Sequence, residues 1–177
     1  RVLSHHPVMR RRTDLLLAGE YLVELLRALA PEGQRVLGIY HHAQAYLEAL
    51  EANPSPESLP CVVFALQGGM LRLTGFELVL DRCVSCDQRP SGRRTLRCDP
   101  ERGGVVCMAC RTGEDHSIGL TTSAAEAILS FRSLDPRRAE EISIPSEIAH
   151  QMKRYYDRAL LHVMERPVRC HVLPGSV

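Results

Sequence analysis

Two short sequences, Cys83-Val-Ser-Cys86 and Cys107-Met-Ala-Cys110, lie 20 residues apart and decide the organisation of this 177-residue chain. Two cysteines three positions apart on a tight turn can occupy two corners of a tetrahedron, and a second pair supplies the other two. This spacing is typical of a zinc site. Because four thiolates leave no coordination position for water or substrate, we predict one structural Zn2+ ion rather than a catalytic one.

The cysteine count also favours metal ligation. The chain has seven cysteines, an odd number, and the two close pairs indicate a metal site in a reducing compartment rather than a disulfide framework. The alternative is that the paired cysteines are buried apolar side chains or reducible thiols. Cys98 lies between the pairs and could replace one ligand, but it lacks a partner at this spacing, so we predict a bystander. Cys61 is expected to be buried in a helix, and Cys170 to be a free thiol in the tail.

The segment that joins the two pairs is rich in glycine, proline and arginine and has few large apolar side chains. It cannot build a core of its own, so we expect the metal ion to replace that core. Gly103-Gly104, just before the second pair, fits a turn that needs a positive φ angle. We therefore predict a zinc-binding module at residues 81–112, inserted into a single helical domain that spans residues 1–177.

The rest of the chain has the pattern of a helical bundle. Leucine and alanine dominate, aromatic residues make up 5%, and there is no tryptophan, which favours helices with aliphatic faces over a sandwich of strands. Apolar residues recur at helical spacing in segments bounded by proline and glycine. We predict helices at residues 13–30, 34–51, 60–73, 123–131 and 145–165. The predicted fold class is mainly α, a helical bundle with an inserted zinc ribbon that is held by four cysteines.

Several local sequences carry further structural predictions. Gly68-Gly69 lies inside the apolar third helix, where each glycine costs on the order of 1 kcal/mol against alanine, so we expect either close helix packing or a kink. Ser123-Ala-Ala-Glu126 has the spacing of a capping box and is expected to begin the short fourth helix. Residues 135–143 are expected to form a linker, and residues 168–177 an extended or disordered tail.

The overall charge and hydropathy point to a cytoplasmic protein. The net charge is +1, so any binding of nucleic acid must depend on local segregation of charge. No apolar run approaches the roughly 20 residues that span a bilayer, and the first twelve residues lack the apolar core of a signal peptide. We therefore expect no membrane partner.

A stripe of basic residues recurs every four positions along the last predicted helix. Its members are His150, Arg154, Arg158, His162 and Arg166. Such a stripe can bind phosphates, or it can dock an acidic peptide by pairing arginine with carboxylates beside an apolar groove. A solvated helix face is the alternative, because basic stripes are common on soluble helices.

The basic run Arg10-Arg11-Arg12 stands at the start of the first helix, where cations oppose the helix dipole. DNA, the nearby Asp14 or a preceding domain would each account for it. The histidine pairs at residues 5–6 and 41–42 are interpreted as surface or packing residues, since adjacent side chains on a helix point apart.

One family shares these motifs. The sequence Leu78-Val-Leu-Asp-Arg-Cys-Val-Ser-Cys86, followed by Asp99-Pro-Glu-Arg-Gly-Gly-Val-Val-Cys107-Met-Ala-Cys110, resembles the zinc-binding segment of the bacterial RecO family. The sequence Leu73-Thr-Gly-Phe76, before the first cysteine pair, also resembles the family's sequence at that place. The helix at residues 18–26 resembles the family's first helix after its N-terminal domain, so the resemblance covers residues 8–166. Cys98 departs from the family pattern, which suggests an aromatic residue there.

The resemblance implies a recombination mediator in DNA repair that is not an enzyme. RecO proteins bind single- and double-stranded DNA, anneal complementary strands, work with RecR and contact the acidic C-terminal tail of single-stranded DNA-binding protein (SSB), so that RecA can be loaded. The expected location is the cytoplasm, in association with the nucleoid. RecO proteins ordinarily begin with an OB-fold, and no run of alternating strands provides one here, so we expect a C-terminal fragment.

Two functional hypotheses follow. In the first, the chain is the partner-docking part of such a mediator, and the candidate contacts to nucleic acid or the SSB tail are Arg154, Arg158, Arg166, Arg10, Arg11 and Arg12. In the second, the chain is a zinc-stabilised accessory module of a nucleic-acid enzyme. No catalytic triad, phosphate-binding glycine loop or paired-carboxylate motif stands out, which favours the first hypothesis.

Overall fold

The computed structural model describes residues 6–30, 37–76, 78–90, 95–111 and 117–168. Most of these residues are helical. The α-helices are α1 (Thr13–Leu29), α2 (Leu37–Glu51), α3 (Leu59–Leu73), α4 (Thr122–Phe131) and α5 (Ser146–Met164). The strands are β1 (Val79–Cys83), β2 (Thr95–Asp99), β3 (Gly104–Val105) and β4 (Ile118–Thr121), and short 3-10 helices span Met9–Arg11, Met108–Cys110 and Pro136–Glu141. The class is mainly helical, as the sequence predicts, although residues 34–36 of the second predicted helix lie outside the described residues.

Helix α3 lies at the centre of the bundle. Its residues 61–71 are all buried, and it packs against α1, α2, α4 and α5. A helix surrounded in this way needs apolar residues on every side, which explains the continuous apolar pattern of its sequence. Phe64 stacks on the ring of Tyr156 in α5, with 5.8 Å between ring centroids, and meets Phe131 of α4 edge-on at 6.2 Å. The three rings join α3, α4 and α5 in one core.

The two glycines inside α3 allow close contacts with its neighbours. A Cβ atom at Gly68 would lie 2.8 Å from the Cα atom of Arg132, immediately after α4. A Cβ atom at Gly69 would collide with the imidazole ring of His42 on α2. The expectation of close helix packing is therefore confirmed, and α3 continues unbroken through both glycines.

The imidazole of His42 fits into the notch that Gly69 leaves. The Nε2 atom of this half-buried ring lies 3.2 Å from the carbonyl oxygen of Ala65 and 3.3 Å from that of Leu66. A neutral ring that carries its proton on Nε2 donates to these carbonyls. Burial lowers the pKa of His42 below its ordinary value of 6.5, against the opposing effect of the two carbonyl groups. The neutral form is therefore the one that the fold favours.

This lowered pKa predicts a dependence of stability on pH. The unfolded chain binds a proton at His42 more readily than the folded chain does, so the free energy of unfolding should be fully retained above pH 6.5 and fall as the pH drops below it. Urea unfolding between about pH 5 and about pH 8 measures this dependence. His42→Gln should flatten it, whereas replacement of the exposed neighbour, His41→Gln, should not. If the pH dependence of stability is the same in His42→Gln as in the native chain, His42 is not its source.

The sheet connects the two cysteine pairs to the helical core. Its strand order is β1-β3-β2-β4, with β1 parallel to β3 and β2 antiparallel to both β3 and β4. The buried side chains of Cys98, Val105 and Leu120 belong to the same hydrophobic core as the helices. A metal ion held by the cysteines would therefore not be the only anchor of this segment. Strand β4 lies beyond residue 112, and the module boundaries of 81–112 stay a prediction.

Two local predictions are wrong in detail. Helix α4 is capped by Thr121 instead of Ser123: the Thr121 hydroxyl accepts a hydrogen bond from the backbone N–H of Ala124 at 3.2 Å. The segment expected to be a linker contains the 3-10 helix Pro136–Glu141, capped by Asp135 and packed against α2 and α3. Its buried Pro136 and Ala139 explain why the chain is ordered there.

Candidate metal centre

The first cysteine pair forms a tight turn at the end of β1. The backbone N–H of Cys83 donates to the carbonyl of Gln88 at 2.8 Å, and the N–H of Asp87 donates back to the carbonyl of Cys83 at 2.9 Å. Asp87 has a φ angle of 62°, in the left-handed region that aspartate tolerates better than most residues. This turn carries Cys86 back toward Cys83.

The second pair is brought against the first by the glycines before it. Gly103 has a φ angle of 69°, as the sequence predicts, and its carbonyl accepts from the N–H of Val79 at 2.9 Å. A Cβ atom at Gly104 would lie 2.5 Å from the carbonyl oxygen of Val79 and 2.5 Å from a methyl group of Val84. Only glycine permits this approach of β3 to β1. The side chain of Arg102 adds a hydrogen bond to the hydroxyl of Ser85 in the first turn.

The four paired cysteines converge on one point. The sulfur atoms of Cys83, Cys86, Cys107 and Cys110 all lie within 4.8 Å of one another. Those of Cys86 and Cys107 are 3.7 Å apart. In a zinc tetrathiolate, bonds of about 2.3 Å place the sulfurs about 3.8 Å apart, which matches this separation. The residues present therefore fit a tetrahedral, thiolate-bound metal ion.

Backbone hydrogen bonds and hydrogen bonds between the sulfur atoms shift the pKa values of these thiols in opposite directions. Burial alone would raise the pKa of Cys83, but N–H donors from Cys107, Ser85 and Cys86 outweigh it and lower the pKa to about 6. The Cys107 donor lies 3.3 Å from the Cys83 sulfur. The neighbouring sulfurs of Cys86 and Cys107 raise the pKa of Cys110 to about 12. Four thiolates at this spacing need a cation among them, and a divalent metal supplies that charge.

The other described cysteines lie outside the cluster. Cys98 is fully buried on β2 in the hydrophobic core, and burial raises its pKa to about 12. Cys61 is buried in α3, as expected. Cys170 lies outside the described residues.

The basic stripe is only partly free to bind a partner. His150, Arg154, Arg158 and His162 are exposed on α5. Arg166 instead donates to a carboxylate oxygen of Glu24 on α1 at 2.9 Å and holds the end of α5 in place. The sequence predictions did not include Leu161, which lies three residues after Arg158 on the same helix face and is 39% exposed within the stripe.

In the arginine run before α1, one residue has a structural role and two are exposed. Arg12 pairs with Asp14 and donates to the side chain of Asn53 at 2.8 Å and to the carbonyl of Pro54 at 2.7 Å. Arg12 therefore closes the loop after α2, and Asp14 is an anionic partner that accounts for a cation at this position. Arg10 and Arg11 are exposed and remain candidates for contact with a partner.

The histidine pairs form no metal cluster within the described ranges. His6 lies 3.8 Å from a carboxylate oxygen of Glu51, and His42 packs in the notch of α3. His5 lies outside those ranges. Among the helices that the structure describes, none combines the length and hydropathy needed to cross a bilayer.

Comparison with known proteins points to one family. The sequence model described as "Recombination protein O C terminal" matches residues 10–170 of this chain. The DNA repair protein RecO of Anaeromyxobacter sp. (strain K) is 32% identical over 112 residues, which are 63% of this chain and 42% of that protein. The RecO proteins of Anaeromyxobacter sp. (strain Fw109-5) and Geobacter sulfurreducens are 27% and 26% identical over 93% and 94% of the chain. The chain spans 63% and 65% of those two relatives' lengths.

Proposed function

Because this chain belongs to the RecO family and matches its C-terminal region, we propose that it acts in DNA repair as a non-enzymatic part of a recombination mediator. In this role it works with RecR and SSB to promote RecA loading on single-stranded DNA. The match over residues 10–170 is the observation that carries the proposal. The helical region then provides docking surfaces, and DNA, single- or double-stranded, is the shared ligand of the assembly.

The cysteine cluster contributes a structural zinc ion in this proposal. Four sulfur ligands fill a tetrahedral shell, so the ion supplies folding free energy and leaves no site for a substrate. It joins β1 to the segment that follows β3, where the paired strand has only two residues. The metal thus adds a second fixed point at this end of the sheet, beside the core contact of Val105.

The exposed part of the α5 stripe is proposed to dock the acidic C-terminal tail of SSB. Arg154 and Arg158 are one helical turn apart and present two guanidinium groups on the same face. Asp157 between them pairs with Lys153 at 2.7 Å, so its charge is already compensated. Leu161 adds an exposed apolar side chain beside Arg158. An acidic peptide with an apolar end complements this combination.

A binding experiment tests the docking surface. The double variant Arg154→Ala/Arg158→Ala should weaken binding of a fluorescent SSB-tail peptide about tenfold, since two exposed ion pairs together contribute on the order of 1.4 kcal/mol. Fluorescence anisotropy at several salt concentrations would show a reduced salt dependence as well. The same measurement with a single-stranded oligonucleotide would show whether DNA uses this face.

Arg166→Ala is the matched control on the same helix. Because Arg166 is held by Glu24, its removal should cost stability and change affinity little. Unchanged affinity and salt dependence in the double variant would remove the stripe from the proposal. Turnover in nuclease or ATPase assays of the zinc-loaded chain would favour the accessory module of a nucleic-acid enzyme instead.

A further inference from the structure

Cys86 is the exposed member of the four sulfur ligands, and it borders an open cleft on the surface. This cleft, of about 590 Å3, is lined by Arg82, Cys83, Ser85, Cys86 and Asp87. A second, of about 340 Å3, reaches Cys107 beside Arg89 and Met108. Cys107 and Cys110 are half-buried, and Cys83 is only 1% exposed. A small solute can therefore reach Cys86 first.

Cys86 and Cys107 come from different pairs and are already close together. Their sulfur atoms are 3.7 Å apart, and a disulfide bond needs about 2.05 Å, so a closing movement of less than about 2 Å joins them. Cys86 lies on a turn, and Cys107 precedes the 3-10 helix Met108–Cys110. Neither is part of a strand, so the movement leaves the pairing of the sheet intact.

We propose that a hydroperoxide such as hydrogen peroxide oxidises Cys86 and Cys107 to a disulfide and thereby releases the metal ion. The centre is then a redox-sensitive switch in addition to a structural element. This inference rests on the proposed zinc ion, and it adds a condition under which that ion is lost.

The chemistry proceeds in two balanced steps. The Cys86 thiolate attacks one peroxide oxygen, the O–O bond breaks, hydroxide leaves with the electron pair, and a sulfenic acid remains on Cys86. The Cys107 thiolate then attacks the Cys86 sulfur, the S–S bond forms, the S–O bond breaks, and a second hydroxide leaves. The sulfurs together lose two electrons, the peroxide gains them, and two protons from solvent convert the hydroxides to water. Two of the four anionic ligands are removed.

The buried cysteines serve as internal references for this reaction. Cys61 and Cys98 are 2% and 0% exposed, so they should stay reduced while Cys86 reacts. A disulfide between the two pairs also keeps both turns together after the metal leaves. Reduction by a thiol in the presence of zinc should therefore restore the centre.

The test uses the full chain with Cys170→Ser, purified with its zinc and treated with a small excess of hydrogen peroxide. A chromogenic chelator measures released zinc, and mass spectrometry of peptides prepared without reductant identifies the disulfide. We expect about one zinc ion released for each Cys86–Cys107 disulfide, reversed by dithiothreitol and added zinc. Cys98→Ala, in the same background, should release zinc at the same rate.

Different failures are distinguishable in this experiment. If the chain keeps its zinc at a peroxide concentration that oxidises free glutathione, the proposed redox switch is wrong. The proposed metal centre would be unaffected by that result. Zinc release with a disulfide between other cysteines, such as Cys107 and Cys110, would overturn the proposed pairing. A chain purified without stoichiometric zinc would contradict the proposed metal centre itself, and with it the switch.

Discussion

Replacement of Cys107 by serine is expected to abolish zinc binding and to lower the free energy of unfolding by more than about 4 kcal/mol, because lost metal sites are among the few single changes with effects of that size. Serine is close to cysteine in size, so the loss reports on coordination more than on packing. Elemental analysis and urea unfolding measure the two effects. Since the sheet shares its core with the helices, the whole unfolding transition should shift as one step.

Cys98→Ala is the control for this experiment. It removes a sulfur atom from the hydrophobic core and leaves the four ligands in place. The variant should keep one zinc ion and lose about 1 to 2 kcal/mol, as expected for a small cavity. A Cys107→Ser protein that retains its zinc and its stability would contradict the tetrathiolate assignment. Zinc loss in Cys98→Ala would show that Cys98 takes part in ligation.

Gly68→Ala is expected to lower the free energy of unfolding by about 2 to 3 kcal/mol, the upper range for an overpacked core. The added methyl group would lie 2.8 Å from the Cα atom and 2.9 Å from the backbone nitrogen of Arg132. Backbone atoms cannot rotate away, so α3 and the end of α4 must separate. This cost should exceed the gain of about 1 kcal/mol in helix propensity. Urea unfolding of the purified variant gives the difference directly.

Gly69→Ala provides the matched comparison, since there the methyl group meets a side chain. In the native sequence it would strike the imidazole of His42, and in a His42→Ala background that obstacle is gone. The cost of Gly69→Ala should therefore largely disappear in the double variant, whereas Gly68→Ala should cost the same in both backgrounds. A neutral Gly68→Ala variant would show that the contact between α3 and α4 opens easily.

The helices could be predicted because their signals are local. Leu15, Ala18, Leu22 and Leu25 repeat at helical spacing and are all buried in α1, and proline or glycine marks most helix ends. The four-stranded sheet could not be predicted in the same way. Strand β3 has two residues, and its pairing joins parts of the chain far apart in sequence. The buried Cys98 gave no sign of its strand, since a lone cysteine fits a core or a metal site equally well.

In the candidate site too, features that depend on neighbouring residues could be predicted, and features that depend on distant residues could not. The cysteine spacing predicts a convergence that the structure reproduces, because each turn is determined within a few residues. The roles of Arg12 and Arg166 depend on Asn53 and Glu24, which lie 41 and 142 residues away along the chain. A sequence pattern identifies such arginines as basic and leaves their partners undetermined. Only tertiary contacts separate the structural arginines from the accessible Arg154 and Arg158.

Thr121 has a mechanical consequence, since it ends β4 and caps α4 with no intervening loop. Its N–H donates to the side-chain oxygen of Gln151 on α5 at 2.8 Å, one helical turn before Arg154. A displacement of the sheet at the cysteine cluster would therefore reach α5 through β4 and this hydrogen bond, because no loop separates β4 from α4.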